Sequence, residues 1–447
     1  MPLADDVTLP LGGVESLPAD RLAAQLVEAR RRTLALVSPL ELEQIDRQFS
    51  PLMSPLAWDL GHIAAFADLW TARALPGGEP LRFDLFEVYD ATETPRSGRG
   101  DLPYLKCEEA IAYGWDVLER TLAAIERTDP TGDDPLTAGD FVWHMILQHE
   151  HQHNETMVQA MQLAVGEFSA PLGVALAGHG TRGEASAVAR DTVRVPAGPA
   201  RVGVDGEAFA YDNERRARAV ELGAFELDRC PVTNGAYREW VEAGGYRRPE
   251  WWSSEGWAWR ERERAERPLF WTDDGRERRF DRTEPLDPDL PVAHVSWHEA
   301  DAFARAHGRR LPTETEWERA ATWDAHSARA RAFPWGDETP TADRANIDLR
   351  AGGPLPAGTL PGGASERGVL GLTGDVWEWT ASEFGGYPGF RAFPYREYSE
   401  VFFGKGLRVL RGGSFATRPT IARPTFRNWD LPERRQIFAG FRLARDA

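Results

Sequence analysis

The run from Phe141 to Gln162 contains neither Pro nor Gly and has apolar residues at three and four spacing, so it reads as one long helix. It carries His149-Glu-His-Gln-His153-Asn-Glu155. Residues four apart lie one above the other on a helix face. His149 and His153 therefore share a face, and two imidazoles so placed can chelate one divalent transition metal. His151 is two positions from each, about 200° round at ~100° per residue, and cannot join them. Glu155 is also off that face. A third ligand has to come from elsewhere in the chain.

The upstream segment Ser54-Pro-Leu-Ala-Trp-Asp-Leu-Gly-His62-Ile-Ala-Ala-Phe66 supplies a candidate. It reads as a helix start, with Ser54 as N-cap and Pro55 at the first helical position. His62 falls among apolar residues on the expected inward face. A lone histidine in such surroundings ordinarily bonds a carbonyl in the core. Beside an i, i+4 pair on a second helix, it reads as the third ligand.

The chain carries 52 Lys and Arg against 70 Asp and Glu, a formal charge of −18. Such a chain gains nothing from counterion release on nucleic acid, and it should avoid anionic membranes. No apolar run approaches the ~20 residues a membrane helix needs, and Met1-Pro-Leu-Ala-Asp-Asp lacks a signal-peptide pattern. Cys107 and Cys230 are the only cysteines, which fits a reducing cytoplasm rather than a disulfide scaffold.

Four amphipathic runs, Leu22 to Leu36, Leu56 to Ala74, Leu105 to Ile125 and Phe141 to Val165, predict a four-helix bundle over residues 19–166, an architecture that builds metal sites in its core. Phe83 to Pro103, between the second and third runs, is polar and reads as a long irregular loop. Residues 167–190 turn to Gly, Ala and Ser and read as a linker. Residues 191–447 are short on helix and rich in Gly, Trp and turn signals. Thr192-Val-Arg-Val-Pro and Ala200-Arg-Val-Gly-Val read as strands, Trp297 to His307 as a helix ended by Gly308, and Pro312-Thr-Glu-Thr-Glu-Trp317 as the start of another. The expected class is α+β. Most of the 17 Trp lie after residue 230, which suits a loop-rich domain packed with flat side chains or a site lined with aromatics.

Asp228-Arg-Cys-Pro-Val-Thr-Asn, Val295-Ser-Trp-His-Glu-Ala, Arg310-Leu-Pro-Thr-Glu-Thr-Glu-Trp-Glu, Gly374-Asp-Val-Trp-Glu-Trp-Thr and Val409-Leu-Arg-Gly-Gly-Ser-Phe together resemble the formylglycine-generating-enzyme fold, a C-type-lectin-like sulfatase-modifying domain. His62 with His149-x-x-x-His153-x-Glu155 resembles a DinB-like four-helix bundle. In this order the two domains resemble the sulfoxide synthases of ergothioneine biosynthesis. The resemblance implies a non-haem Fe(II) and O2 enzyme that joins the thiol of γ-glutamylcysteine to the imidazole of hercynine (Nα-trimethylhistidine) as a sulfoxide. Its substrates are small molecules, with cysteine or another thiol or selenol as alternative donor.

By the same resemblance His62, His149 and His153 hold the iron. Gln152, Tyr398 and Trp429 contact hercynine, and aromatic faces suit its trimethylammonium group at about 0.5–2 kcal/mol per contact. Arg96 and Arg99 in the long loop, with Asp430 and Arg434, hold the ammonium and carboxylates of the thiol donor, a task guanidinium forks perform well. Tyr395 is the proton source for the oxygen chemistry, with Tyr387 the neighbouring alternative. Formylglycine generation itself is excluded, because it needs a pair of active-site cysteines late in the domain and Gly412 to Arg442 has none. A zinc-dependent DinB-type thiol transferase on the same triad, and a non-catalytic lectin-like module, remain as rival readings. Asn346 and Asp348 are too slight a signal to define a calcium site.

Overall fold

A computed structural model describes residues 22–164, 166–168, 191–206 and 209–447. The chain divides into two compact units, one running to Leu172 and taking in Phe209, the other made of the remainder. Residues 19–21 and most of the expected 167–190 linker lie outside the described residues.

The first unit is built on four long helices, Leu22–Val37, Leu56–Arg73, Cys107–Ile125 and Phe141–Leu163. The first packs on the fourth, and the second packs on both the third and the fourth. Apolar residues at helical spacing close the core, with Trp58, Val117, Val142 and Trp143 at 0% exposure. Buried Glu150 and Asn154 turn the fourth helix's other face toward the first: Glu150 pairs with Arg30 at 3.3 Å and accepts from the Thr33 hydroxyl at 2.6 Å. Asn154 Nδ2 donates to the same hydroxyl at 2.7 Å. That leaves His149 and His153 to the face toward the second helix.

Two expectations need correction. Ser54 is not the N-cap of the His62 helix; Pro55 occupies that position, without a side-chain cap. The Ser54 hydroxyl instead accepts from Arg99 Nη1 at 2.9 Å. The Phe83–Pro103 segment is also not irregular throughout. It contains short helical turns at Phe83–Leu85, Phe86–Tyr89 and Arg96–Asp101. Side-chain acceptors fasten it and the residues leading into it: buried Asp68 takes the amides of Leu81 at 3.0 Å and Arg82 at 3.1 Å, and within the segment Asp90 takes that of Thr92 at 2.8 Å. Local side-chain bonds of this kind offer the backbone an alternative to longer helix.

The second unit carries a three-stranded antiparallel sheet in which Phe225–Asp228 is flanked by Thr192–Val195 and by the C-terminal strand Ala444–Asp446. The unit's first and last strands thus share one sheet. Val193, Val195, Phe225, Leu227 and Ala444 pack there against Trp317 and Leu372. A four-stranded sheet runs Asn428–Asp430, Arg408–Arg411, Trp377–Glu383 and Ala439–Gly440, antiparallel except for the last pair. Helices Trp297–Ala306 and Glu314–Thr322 begin at Ser296 and Thr313, each in a capping box with a glutamate three residues on.

Candidate metal centre

His62 lies in the second helix and the His149/His153 pair in the fourth. Their ligand-capable nitrogens lie within 4.8 Å of one another. His62 Nε2 is 3.2 Å from His149 Nε2, and the His153 ring centroid is 4.6 Å from that of His62 and 4.5 Å from that of His149. His62 Nδ1 lies 2.8 Å from the Tyr89 carbonyl oxygen, which can only accept, so Nδ1 carries the hydrogen and Nε2 presents a lone pair. His153 Nδ1 lies 3.0 Å from Asp59 Oδ1, which fixes the same tautomer. The two ordinary readings of His62, carbonyl-bonded core residue and metal ligand, are both met by the two nitrogens of one ring.

This donor set fits a divalent transition metal. Two nitrogens each ~2.1 Å from one ion stand about 3.0 Å apart at a right angle and about 3.4 Å apart at the tetrahedral angle, and 3.2 Å falls between these values. Metal-bound imidazoles ordinarily donate their other N–H to a carboxylate or carbonyl; Asp59 and Tyr89 do this for His153 and His62. His149 Nδ1 is buried without a hydrogen-bond partner among the described residues, and Phe66 stacks on that ring at 3.7 Å. Burial, with His153 beside both, holds the His62 and His149 imidazolium forms well below the usual histidine range. This favours the neutral form of both, which a ligand must have.

Several supports escaped the sequence reading. Asp59 and Trp58 stand three and four residues before His62 on its helix; Trp58 stacks on His62 at 4.8 Å and donates to the Val88 carbonyl at 3.1 Å. Gly61 lets Tyr89 approach, since a Cβ there would sit 2.0 Å from the Tyr89 hydroxyl. An Asp-x-x-His spacing on a helix was the available signal for Asp59.

The loop arginines differ. Arg99 is buried, its guanidinium carbon 3.8 Å from the Trp58 ring centroid, with donors to Thr94 O at 2.9 Å, Ser54 Oγ at 2.9 Å and Ala91 O at 3.2 Å. Burial lowers its pKa to about 10. Those three nitrogens fasten the loop. Arg96 is half-buried, with Nη1 3.8 Å from Met53 Sδ. Gln152 is half-buried one position before His153, with Nε2 3.2 Å from Gln148 O.

In the second unit, Trp429 lies on the Asn428–Asp430 strand and stacks on Phe384 at 4.0 Å. Tyr398 meets Trp429 edge to face at 5.6 Å and stacks on Tyr211 at 4.0 Å. Tyr395 is half-buried and lies 6.2 Å from Tyr398, centroid to centroid. These rings form one contiguous aromatic cluster. Tyr387 is placed differently: it is buried, with its hydroxyl 3.4 Å from Glu314 and the Arg427 guanidinium 4.2 Å from its ring centroid. Asp430 Oδ1 lies 3.8 Å from Arg434 Nε, so this acid and arginine face each other. Asp348 pairs with Arg418.

The fold and site define a class: a DinB-type bundle with a three-histidine cluster able to hold a metal ion, joined to a sulfatase-modifying-factor domain. The DinB superfamily matches residues 25–157, and the sulfatase-modifying factor enzyme 1-like domain matches residues 180–447. Hercynine oxygenase of Mycolicibacterium thermoresistibile is 46% identical over 95% of this chain and 94% of its own length. That of Mycobacterium tuberculosis is 44% identical over 96% and 99% respectively. The formylglycine-generating enzyme of Thermomonospora curvata is 28% identical over 58% of this chain and 94% of its own length. The chain belongs to the hercynine oxygenase family, and it is an oxidoreductase of the oxygenase type.

Proposed function

We propose that His62, His149 and His153 hold Fe(II), and that the protein uses O2 to join hercynine to γ-glutamylcysteine as a sulfoxide. The balance is a C–H bond of the imidazole, an S–H bond and O2 converted to a C–S bond, an S=O bond and water. O2 takes up four electrons, two from forming the C–S bond and two from oxidising the sulfur. Iron bound there supplies O2 activation, which zinc, having no redox chemistry, does not. The convergence of three imidazole nitrogens, two with their tautomers set by Asp59 and Tyr89, carries this reading.

The remaining roles are carried over from the family resemblance and suit the side chains present. Tyr398 and Trp429 offer ring faces to the trimethylammonium group, and Gln152 offers an amide to the same substrate. Asp430 meets the ammonium of the thiol donor, while Arg434 and Arg96 meet its carboxylates. Arg99 joins them by holding the loop that carries Arg96. Tyr395 supplies the proton; Tyr387, sunk against Glu314 and Arg427, is the weaker choice. The ligands are small molecules, not nucleic acid. No described helix is long and apolar enough to cross a membrane, and both cysteines are buried and free, which supports a cytoplasmic setting.

The test is metal analysis after anaerobic purification, followed by aerobic turnover with Fe(II), hercynine and a panel of thiols, with product masses read out. Hercynine-dependent sulfoxide with γ-glutamylcysteine is expected. Zinc retained with no O2 uptake would favour a thiol transferase.

A further inference from the structure

Tyr395 lies in the long excursion between strands Trp377–Glu383 and Arg408–Arg411, on extended backbone just before the one-turn helix Arg396–Tyr398. A phenol that must deliver a proton has to be held to a fraction of an ångström, and this stretch has no strand pairing of its own. It is held by a distant tripeptide, Tyr211-Asp212-Asn213. Asp212 Oδ2 accepts from the Phe393 backbone N–H at 3.2 Å, and Asp212 Oδ1 accepts from the Ser399 hydroxyl at 2.5 Å. The two oxygens of one carboxylate thus grip both ends of the segment that contains Tyr395 and Tyr398. Asn213 Nδ2 donates to the same Ser399 hydroxyl at 3.0 Å, and the Tyr211 ring stacks on Tyr398.

The tripeptide is itself anchored. Glu214 accepts from the Tyr211 N–H at 3.0 Å and pairs with Arg423, and the Thr425 hydroxyl donates to it at 2.8 Å. Asp212, Asn213 and Ser399 are all buried. Asp212 has no ion-pair partner among the described residues, and burial pushes its carboxyl up to about 6. Burying an acid without a countercharge costs stability, whereas an amide or hydroxyl would fill the space at lower cost. A carboxylate is the side chain that accepts from two donors on opposite sides at once.

We propose that Asp212 is a positioning residue for Tyr395: its carboxylate clamps Phe393 and Ser399 and thereby sets where the phenol points. This rests on the reading of Tyr395 as the proton donor. Asp212→Asn keeps the size of the side chain but leaves one carbonyl oxygen for two donors, so one arm of the clamp is lost.

The experiment is a double-mutant cycle on the full-length iron-loaded protein with Asp212→Asn and Tyr395→Phe, measuring kcat and both KM values for sulfoxide formation, with melting temperature as a folding check. Asp212→Asn is expected to lower kcat about tenfold, as a shift of part of an ångström does, with KM values changing less than about threefold. In the Tyr395→Phe background it should cause no further loss. Ser399→Ala, which cuts one arm, should show a smaller loss that also vanishes in that background, and it replaces Asp212→Asn in the cycle if the latter does not fold. Losses that multiply in the double variant overturn the proposal, as does wild-type turnover in the single clamp variants while Tyr395→Phe is impaired. Wild-type turnover in Tyr395→Phe refutes the Tyr395 reading, and the clamp's role toward it falls as well.

Discussion

Replacing Asp59 by Asn tests the proposed metal centre without touching a proposed ligand. Asp59 is 1% exposed, and its Oδ1 is 3.0 Å from His153 Nδ1. The carboxylate can only accept, so it forces the hydrogen onto Nδ1 and frees Nε2 for the metal. An amide can accept the same bond or turn and donate, which would move the hydrogen to Nε2 and block the ligand. Loss of such an outer partner typically costs 10- to 100-fold in metal affinity, about 1.4–2.7 kcal/mol. The protein itself should not suffer equally: Asp59 Oδ2 is buried without a hydrogen bond among the described residues, and removing a poorly satisfied buried charge offsets the lost contact. The melting temperature of the metal-free variant should therefore stay within about 3 °C of wild type, the size of a 1 kcal/mol effect in a domain of this length. The assay is anaerobic competition with a chelator of known Fe(II) affinity, beside a thermal melt. Unchanged affinity would refute the outer-shell argument. A large drop in melting temperature would show Asp59 acting through the fold.

Gly61→Ala should lower both stability and metal affinity: the ~1 kcal/mol gained in helix propensity is outweighed by overpacking of about 1–3 kcal/mol, because the new methyl meets Tyr89, whose carbonyl orients His62. A raised melting temperature with unchanged affinity would refute that coupling. Metal-free protein should lose stability as pH falls from 7 to 5, since His62 and His149 have folded pKa values depressed below the unfolded value near 6.5; the unfolded chain binds more protons there, and stability rises with pH. His62→Phe should flatten that slope in pH-resolved melts, and an unaltered slope would count against it. Trp429→Ala should raise the hercynine KM about 2- to 30-fold, the range of one cation–π contact, while Trp429→Phe keeps part of the effect; equal KM values in all three proteins would remove Trp429 from the substrate site.

Helical phase was legible: His149 and His153 share a face because four residues make slightly more than one turn, and the helix ends at Leu163, close to the predicted limit. Gly308 closes the Trp297 helix at φ +62°, as its sequence signature indicated. The cap at Ser54 was misread, since an N-cap signature competes with any distant donor and Arg99 took the hydroxyl. The same contact explains Arg99 itself. A loop arginine is ordinarily exposed, and nothing within its heptapeptide says that Trp58 and Ser54 will cover it. Tyr387 and Tyr395 lie eight residues apart in one loop-rich stretch, and packing separates them: Tyr387 is buried and Tyr395 half-buried.

What the sequence determined by itself is therefore what a single helix or a single composition can encode: the His149/His153 face, the long core-forming runs, and the lack of a cysteine pair after Gly412. The tertiary structure decided the rest. Only packing brings His62 within 3.2 Å of a residue 87 positions away, assigns Asp59 and Tyr89 to the two tautomers, and buries one loop arginine beside a half-buried one. The physical reason is range: periodicity and capping act over one or two turns, while ligand convergence, burial and desolvation depend on which distant surfaces meet.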